Sequence, residues 1–225
     1  MVSQTPAAAA SGYTITSPRL TIRTAVPSDG EALVSFFTDP ANFPWEAETD
    51  LTVEKVLPRI DRWAKATEEW KSAFVVVIER ESDQLIGFGG FNSLPYTKPL
   101  GSESIWTVAK QDGPEGGMVL VADIGMSIDH RYQRRGYARE AVCALVEYGF
   151  GTLGCVYVHM DTAKDNEPFR ALMRDMGIGE VEGDGGEAPE GAAFCFASKS
   201  YNYVFERADW ERVKDEMKKK SKWPL

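Results

Sequence analysis

Three things are scarce in this sequence: cysteine, long hydrophobic runs and excess positive charge. Each shortage removes a class of protein. Cys143, Cys155 and Cys195 are scattered without metal-ligand spacing, so no metal centre is expected. Two of the three fall in predicted core elements and read as buried free thiols, which suits a reducing, cytoplasmic setting. No apolar run approaches the ~20 residues of a membrane span, so no membrane partner is expected. The opening MVSQTPAAAASGY has no basic n-region and only a short alanine tract. It reads as a disordered lead-in rather than a signal peptide. A formal net charge of −9 argues against nucleic acid as the main partner. No Gly-Lys-Ser/Thr ending follows any glycine cluster, which speaks against a nucleotide-binding P-loop.

What is present is a globular composition, 43% hydrophobic over 225 residues, enough for one domain with a real core. The expected layout is a lead-in over 1–16, a single domain over 17–210 and a basic helix or tail over 211–225. Everything is organised around VLVADIGMSIDHRYQRRGYAREAVCALVEYGF, from Val119 to Phe150. The apolar run Val119 to Ile128 reads as a strand, His130 to Arg135 as a basic turn, and Gly136 to Phe150 as an amphipathic helix. The first N–H groups of a helix lack intrahelical partners, and its dipole favours an anion there. Gly136 allows close approach because it has no Cβ, and Ala138 is small. Gln133 adds an amide donor, and Arg134 and Arg135 add charge suited to phosphate. Arg131, Arg134, Arg135 and Arg139 concentrate positive charge on an otherwise acidic chain. The acidic remainder suits either a cationic substrate or simply a solvated surface.

The other segments read as follows. Leu20 to Ala25 alternates as a strand. Pro27-Ser28-Asp29 starts a helix that runs to Thr38, with Glu31 three residues after Ser28 as in a capping box. Thr52 to Glu69 is a helix that Pro58 should kink or split. Ala73 to Ile78 is a strand buried on both faces, and Gln84 to Phe91 its hairpin partner. Gly87, Gly89 and Gly90 in that partner point to a bulge or a close backbone approach. Ser93 to Gly117 is a long loop with a short strand at Ile105 to Val108. Val156 to Met160 is a strand, with His159 read as a packed residue. Asp165-Asn166-Glu167-Pro168 opens a helix capped by Gly177. Ala193 to Ala197 and Ser200 to Glu206 close a hairpin, and Asp209 to Lys220 forms a terminal helix.

The spacing Gln133-x-x-Gly136-x-Ala138, directly after a strand and opening a helix, resembles the acyl-CoA pyrophosphate loop of the GNAT N-acetyltransferase superfamily. The string Asn166 … Gly177-Ile178 resembles the Asn-led helix that follows the fifth strand of those enzymes. Ser17-Pro18-Arg19-Leu20-x-Ile22-Arg23 and the Tyr-Val-Phe-Glu-Arg-x-x-Trp ending at Trp210 resemble the ribosomal-protein-acetyltransferase (RimJ/RimL-type) branch. The resemblance implies an α+β fold, a mixed and mostly antiparallel sheet flanked by helices and splayed between its fourth and fifth strands. It implies acetyl-CoA as acyl donor and an amine acceptor, and leaves a homodimer open. The pantetheine arm would pair with the backbone at Met126, Ser127 and Ile128. The diphosphate would sit on Gln133, Arg134, Arg135, Gly136, Tyr137 and Ala138. Asn166 would touch the pantetheine or serve as a plain helix cap, and the two roles are compatible.

Acetyl transfer needs a neutral amine, and an amine of pKa near 10 is only about one part in a thousand neutral at pH 7. A base is therefore useful. Asp123 is the one carboxylate inside the central strand, and burial would raise its pKa. It is either that base or a structural Asp. A strand N–H near Met126 or Ile128 would polarise the carbonyl. Two departures from the family pattern stand out: Met173 where many relatives have a Tyr acid, and Phe169 where this branch often has Ser. They favour the alternative of a catalytically silent acyl-CoA-binding module. Trp45, Glu46 and Glu48 are candidates for the substrate wall or are an ordinary surface loop.

Overall fold

A computed structural model describes residues 12–43, 47–94, 96–97, 119–182 and 200–225. Trp45, Glu46, Cys195, the strands expected at Ile105 to Val108 and Ala193 to Ala197, and the first eleven residues lie outside these. The chain forms two compact units, 1–92 with 125–145, and 93–124 with 146–224.

In the first unit the strands β1 (Thr14–Thr16), β2 (Leu20–Thr24), β3 (Ala73–Glu79) and β4 (Gln84–Ser93, all but its last residue) form an antiparallel sheet. The last residues of the central strand β6 (Val119–Ile128) complete it beside β4. Val75, Val76 and Val77 are wholly buried, as a β-branched run in a doubly covered strand should be. The glycines of β4 mark a close approach. A Cβ on Gly87 would lie 2.7 Å from the Ser127 carbonyl oxygen, and one on Gly89 2.2 Å from that of Gly125. Only glycine lets the two backbones lie that near.

Helices α1 (Gly30–Thr38) and α2 (Val53–Glu68) cover this sheet, packing Leu33, Val56 and Ile60 against Val76 and Ile78. Two expectations need correction. Pro27 to Asp29 form a separate 3₁₀ turn, and α1 begins only at Gly30. The capping oxygen belongs to Asp29, which accepts from the Val26 N–H at 2.8 Å, and not to Ser28 paired with Glu31. Arg23 holds Asp29 with two bonds, 2.7 and 2.8 Å. Pro58 does not split α2, which runs unbroken for 16 residues. Its ring faces solvent while Val56 and Ile60 are locked in the core, so packing outweighs one lost hydrogen bond.

In the second unit β7 (Tyr157–Ala163) pairs along its whole length with antiparallel β9 (Ser200–Glu206), and β8 (Val181–Glu182) extends β9. The short β5 (Tyr96–Thr97) lies antiparallel to the start of β6. Among the described residues the one parallel ladder joins β6 to β7 through three pairs: Val121, Ala122 and Asp123 opposite Tyr157, Val158 and His159. These are the two strands expected as fourth and fifth, and their ladder ends at Asp123. The fold is thus α+β with a mostly antiparallel, open sheet. Helix α3 (Tyr137–Tyr148) passes from the first unit into the second and ends in a π-helical turn, Gly149–Leu153. Helix α4 (Glu167–Met176) and helix α5 (Arg207–Lys219) complete the second unit.

The expected lead-in over 1–16 includes β1, and α5 spans the expected boundary at 210/211. β1 starts at Thr14 with Tyr13 buried beside it, and α5 carries buried Trp210 and Met217. Tyr13, Trp210 and Met217 thus belong to the buried cores. Among the described residues no helix is long and apolar enough to cross a membrane.

Candidate active site

The exit of β6 is shaped by a buried carboxylate. Asp129, 1% exposed, accepts from the Arg131 N–H at 2.9 Å and from the Arg131 guanidinium at 2.9 and 2.6 Å. The guanidinium holds the Asp129 carboxyl down to about 2, so it is an anion throughout the neutral range. This pairing tightens His130 to Tyr132 into a 3₁₀ turn. Asn42 braces the same turn by accepting the His130 N–H at 2.8 Å.

Beyond the turn, Arg134 and Gly136 both adopt left-handed backbone, φ +63° and +84°. The first α-helical bond is from the Glu140 N–H to the Gly136 carbonyl, 3.1 Å. The N–H groups of Tyr137 and Ala138 precede it and have no acceptor within the helix. An added Cβ on Gly136 would have only Arg19 nearby, so the loop surface at this residue is otherwise open. Bare amides, a helix start and two neighbouring Arg side chains suit a large anion such as a diphosphate.

Two loop residues make side-chain bonds within the protein. The Gln133 amide donates to the Ile128 carbonyl at 2.9 Å and so closes the loop onto its own strand. The Tyr137 hydroxyl donates to Glu79, which ties its side chain to β3. Glu79 was not legible as a site residue, because nothing local in the sequence ties β3 to the start of α3.

The strand edge has a definite polarity. Backbone groups of successive strand residues point to opposite edges. The Asp129 N–H donates to Ile86 of β4 at 2.8 Å, so Gly125, Ser127 and Asp129 address β4. Met126 and Ile128 direct their N–H and C=O groups to the other edge.

In the second unit Asp123 is 8% exposed and its Oδ1 lies 2.9 Å from His159 Nδ1. His159 Nε2 lies 3.3 Å from Asn202 Oδ1. The three residues stand on β6, β7 and β9 and form one buried polar row. His159, expected as a packed side chain, is packed and is also the partner of the one carboxylate in the central strand. Neither His159 nor Asn202 carries a local signal of that role; only the strand register brings them beside Asp123.

Asn166 caps α4. Its Oδ1 accepts the Phe169 N–H at 3.3 Å, and its Nδ2 donates to Thr162 Oγ1 at 2.8 Å. Met173 is wholly buried, and Phe169 packs edge-on against Tyr203. Cys143 and Cys155 are buried free thiols, and burial pushes the Cys155 thiol up to about 12. A thiol that stays protonated is no nucleophile. Glu48, the one described member of the expected substrate wall, is bound by Arg59 at 2.8 and 2.6 Å.

Known proteins resemble this chain in sequence and in fold. The profile of the family "Acetyltransferase (GNAT) domain" matches residues 19–178. A curated relative, the uncharacterized N-acetyltransferase YoaA of Bacillus subtilis, is 25% identical over 161 residues, 71% of this chain and 79% of that protein. Among solved structures, apo FdhC, a nucleotide-linked sugar GNAT, superposes with a TM-score of 0.64 at 12% identity, covering 95% of this chain and 99% of its own. RimL, a ribosomal L7/L12 alpha-N-protein acetyltransferase in complex with coenzyme A, gives 0.60 at 14% identity, covering 86% and 98%. These two structures share the fold.

Proposed function

The chain belongs to the acetyltransferase (GNAT) domain family, and from that premise we propose that it transfers acetyl from acetyl-CoA directly to a primary amine held in the same complex. That it is an acetyl-CoA-dependent N-acetyltransferase follows from the family; the acceptor and the residue roles are our reading.

The observation that carries the reading is the β6 exit: a strand edge at Met126 and Ile128 facing away from β4, followed at once by the bare amides of Tyr137 and Ala138. Pantetheine carries two amide groups, which suit strand-like pairing with Met126 to Ile128. The diphosphate suits the loop, where Gly136 and Ala138 leave room and Arg134 and Arg135 supply charge. Gln133 then acts mainly by holding the loop closed. A backbone N–H of Met126 or Ile128 polarises the acetyl carbonyl. Asp123 takes the proton from the ammonium as the amine attacks, with His159 fixing the carboxylate. Asn166 orients the start of α4 by capping the Phe169 N–H. The acetyl–sulfur bond breaks and the sulfur leaves as thiolate, so no covalent enzyme intermediate is required, in keeping with a Cys155 thiol that burial keeps protonated. Helix α4 has no tyrosine, so the thiolate takes its proton from elsewhere.

The test is acetyl-CoA with a panel of amines, following free thiol and acetylated product together. The panel holds a peptide with a free N-terminus, a nucleotide-linked amino sugar and a polyamine. RimL acts on a ribosomal protein and FdhC is a nucleotide-linked sugar enzyme, so the first two acceptor types come from proteins of the same fold. Amine-dependent thiol release, one thiol per acetylated amine, is expected. Tight coenzyme A binding with no release across the panel would instead indicate the silent module.

A further inference from the structure

We propose that Arg19, on the approach to β2, is a positioning residue that aims the Gly136 N–H at the diphosphate; this rests on the acetyl-CoA reading of the loop.

The argument starts from Glu140. It stands in the first turn of α3 with its side chain 1% exposed. A buried carboxylate needs partners, and three serve it: the Ser17 hydroxyl at 2.7 Å, the Arg19 N–H at 2.7 Å and Arg19 Nε at 2.6 Å. Arg19 is thereby locked to α3 by both backbone and side chain. Its guanidinium continues past the carboxylate. Nη1 donates to the Arg135 carbonyl at 2.9 Å, and the guanidinium carbon lies 4.4 Å above the Tyr137 ring. Tyr137 is held in turn by Glu79.

Peptide planarity converts this into a statement about Gly136. The Arg135 carbonyl and the Gly136 N–H belong to one trans peptide plane and point in opposite directions. Fixing the carbonyl toward Arg19 therefore turns the Gly136 N–H away from it, to the open side of the loop. Arg134 has left-handed backbone, which costs a non-glycine residue energy and persists only when its surroundings impose it. The Arg19 bond next to it is such an imposition. The guanidinium also sits close under Gly136, where a Cβ would be 3.3 Å from Nη2.

The experiment compares two donors that carry the same thioester. Acetyl-CoA has the diphosphate; S-acetyl-pantetheine lacks it. Arg19→Lys keeps a positive charge for Glu140, but its single nitrogen cannot also hold the Arg135 carbonyl. The double variant Arg19→Gln with Glu140→Gln removes both charges, so no lone buried carboxylate threatens folding. Both variants should raise KM for acetyl-CoA about tenfold with kcat little changed, the effect of one misdirected hydrogen bond to a charged group. Both should keep the wild-type kcat/KM for S-acetyl-pantetheine. Equal losses on the two donors, or an unchanged KM for acetyl-CoA in folded protein, overturn the positioning role. If instead the wild type shows no preference for acetyl-CoA over S-acetyl-pantetheine, the diphosphate reading of the loop itself falls.

Discussion

Asp123, inside β6, and Asp129, at its exit, are both buried, yet their partners give them opposite chemistry. Asp129 is gripped by Arg131, which never gives up its proton, and its carboxyl is driven down to about 2. It is a fixed anion that shapes a turn. Asp123 faces the imidazole of His159 at 2.9 Å, a partner without the fixed charge of a guanidinium. Behind it, the Asn202 amide offers an acceptor or a donor, so it can serve the ring in either state. Its Nδ2 is buried without a partner among the described residues, and turning the amide over would bring that donor to a neutral Nε2. Burial alone does not make a base; the partner decides whether a proton can come and go.

The contrast predicts that damage at the two places separates binding from chemistry. At the exit, Gly136→Trp should produce the largest effect. The position is open apart from Arg19, and left-handed backbone costs a non-glycine residue only about 1–2 kcal/mol, so the fold should survive. The indole would cover the amides of the α3 start. Loss of two charge-assisted hydrogen bonds weakens acetyl-CoA by roughly 100-fold or more in calorimetry. Unchanged affinity would remove the diphosphate from this loop. Inside the strand, Asp123→Asn should leave that affinity intact and lower turnover by about 100-fold at pH 7. The deficit should narrow toward pH 9–10, where an amine of pKa near 10 begins to shed its own proton. A deficit that stays constant with pH would make Asp123 structural, like Asp129.

The same contrast separates what the sequence displays from what it hides. The strand–turn–helix at Val119 to Phe150 is legible because its signals are local: a ten-residue apolar run, a turn rich in Arg, a glycine and then helical spacing. The cap pair Asn166 and Gly177 is legible for the same reason, since each acts within a turn of its own position. The Asp123–His159–Asn202 row is not legible. It depends on the register of a parallel and an antiparallel ladder, and His159 looks like any packed strand residue until that register is known. Arg19 and Glu140 also meet only through tertiary structure, although each lies inside a stretch that resembles the family. Gln133 shows the limit of spacing alone. Its spacing is right for the motif, but spacing cannot tell whether an amide reaches a ligand or its own strand.

The smallest predicted effect separates the two carboxylates by stability instead of rate. Asp129→Asn keeps the side-chain shape and removes the charge that Arg131 holds. The folded carboxyl titrates near 2 against an ordinary value of 3.8, a difference equivalent to about 2 kcal/mol. Because the folded value is the lower one, this stabilisation is fully present above about pH 4 and is lost as the pH falls through about 2. Arg131 is 59% exposed, so water screens the pair and the measured figure should fall somewhat short. Denaturant unfolding of wild type and variant should therefore differ by about 1–2 kcal/mol at pH 7, and the two curves should converge as the buffer is taken from pH 4 toward pH 2. A gap that stayed constant down to pH 2 would mean that Asp129 acts through the shape of its hydrogen bonds rather than its charge. The difference in partner between the two buried carboxylates would then no longer explain their different roles.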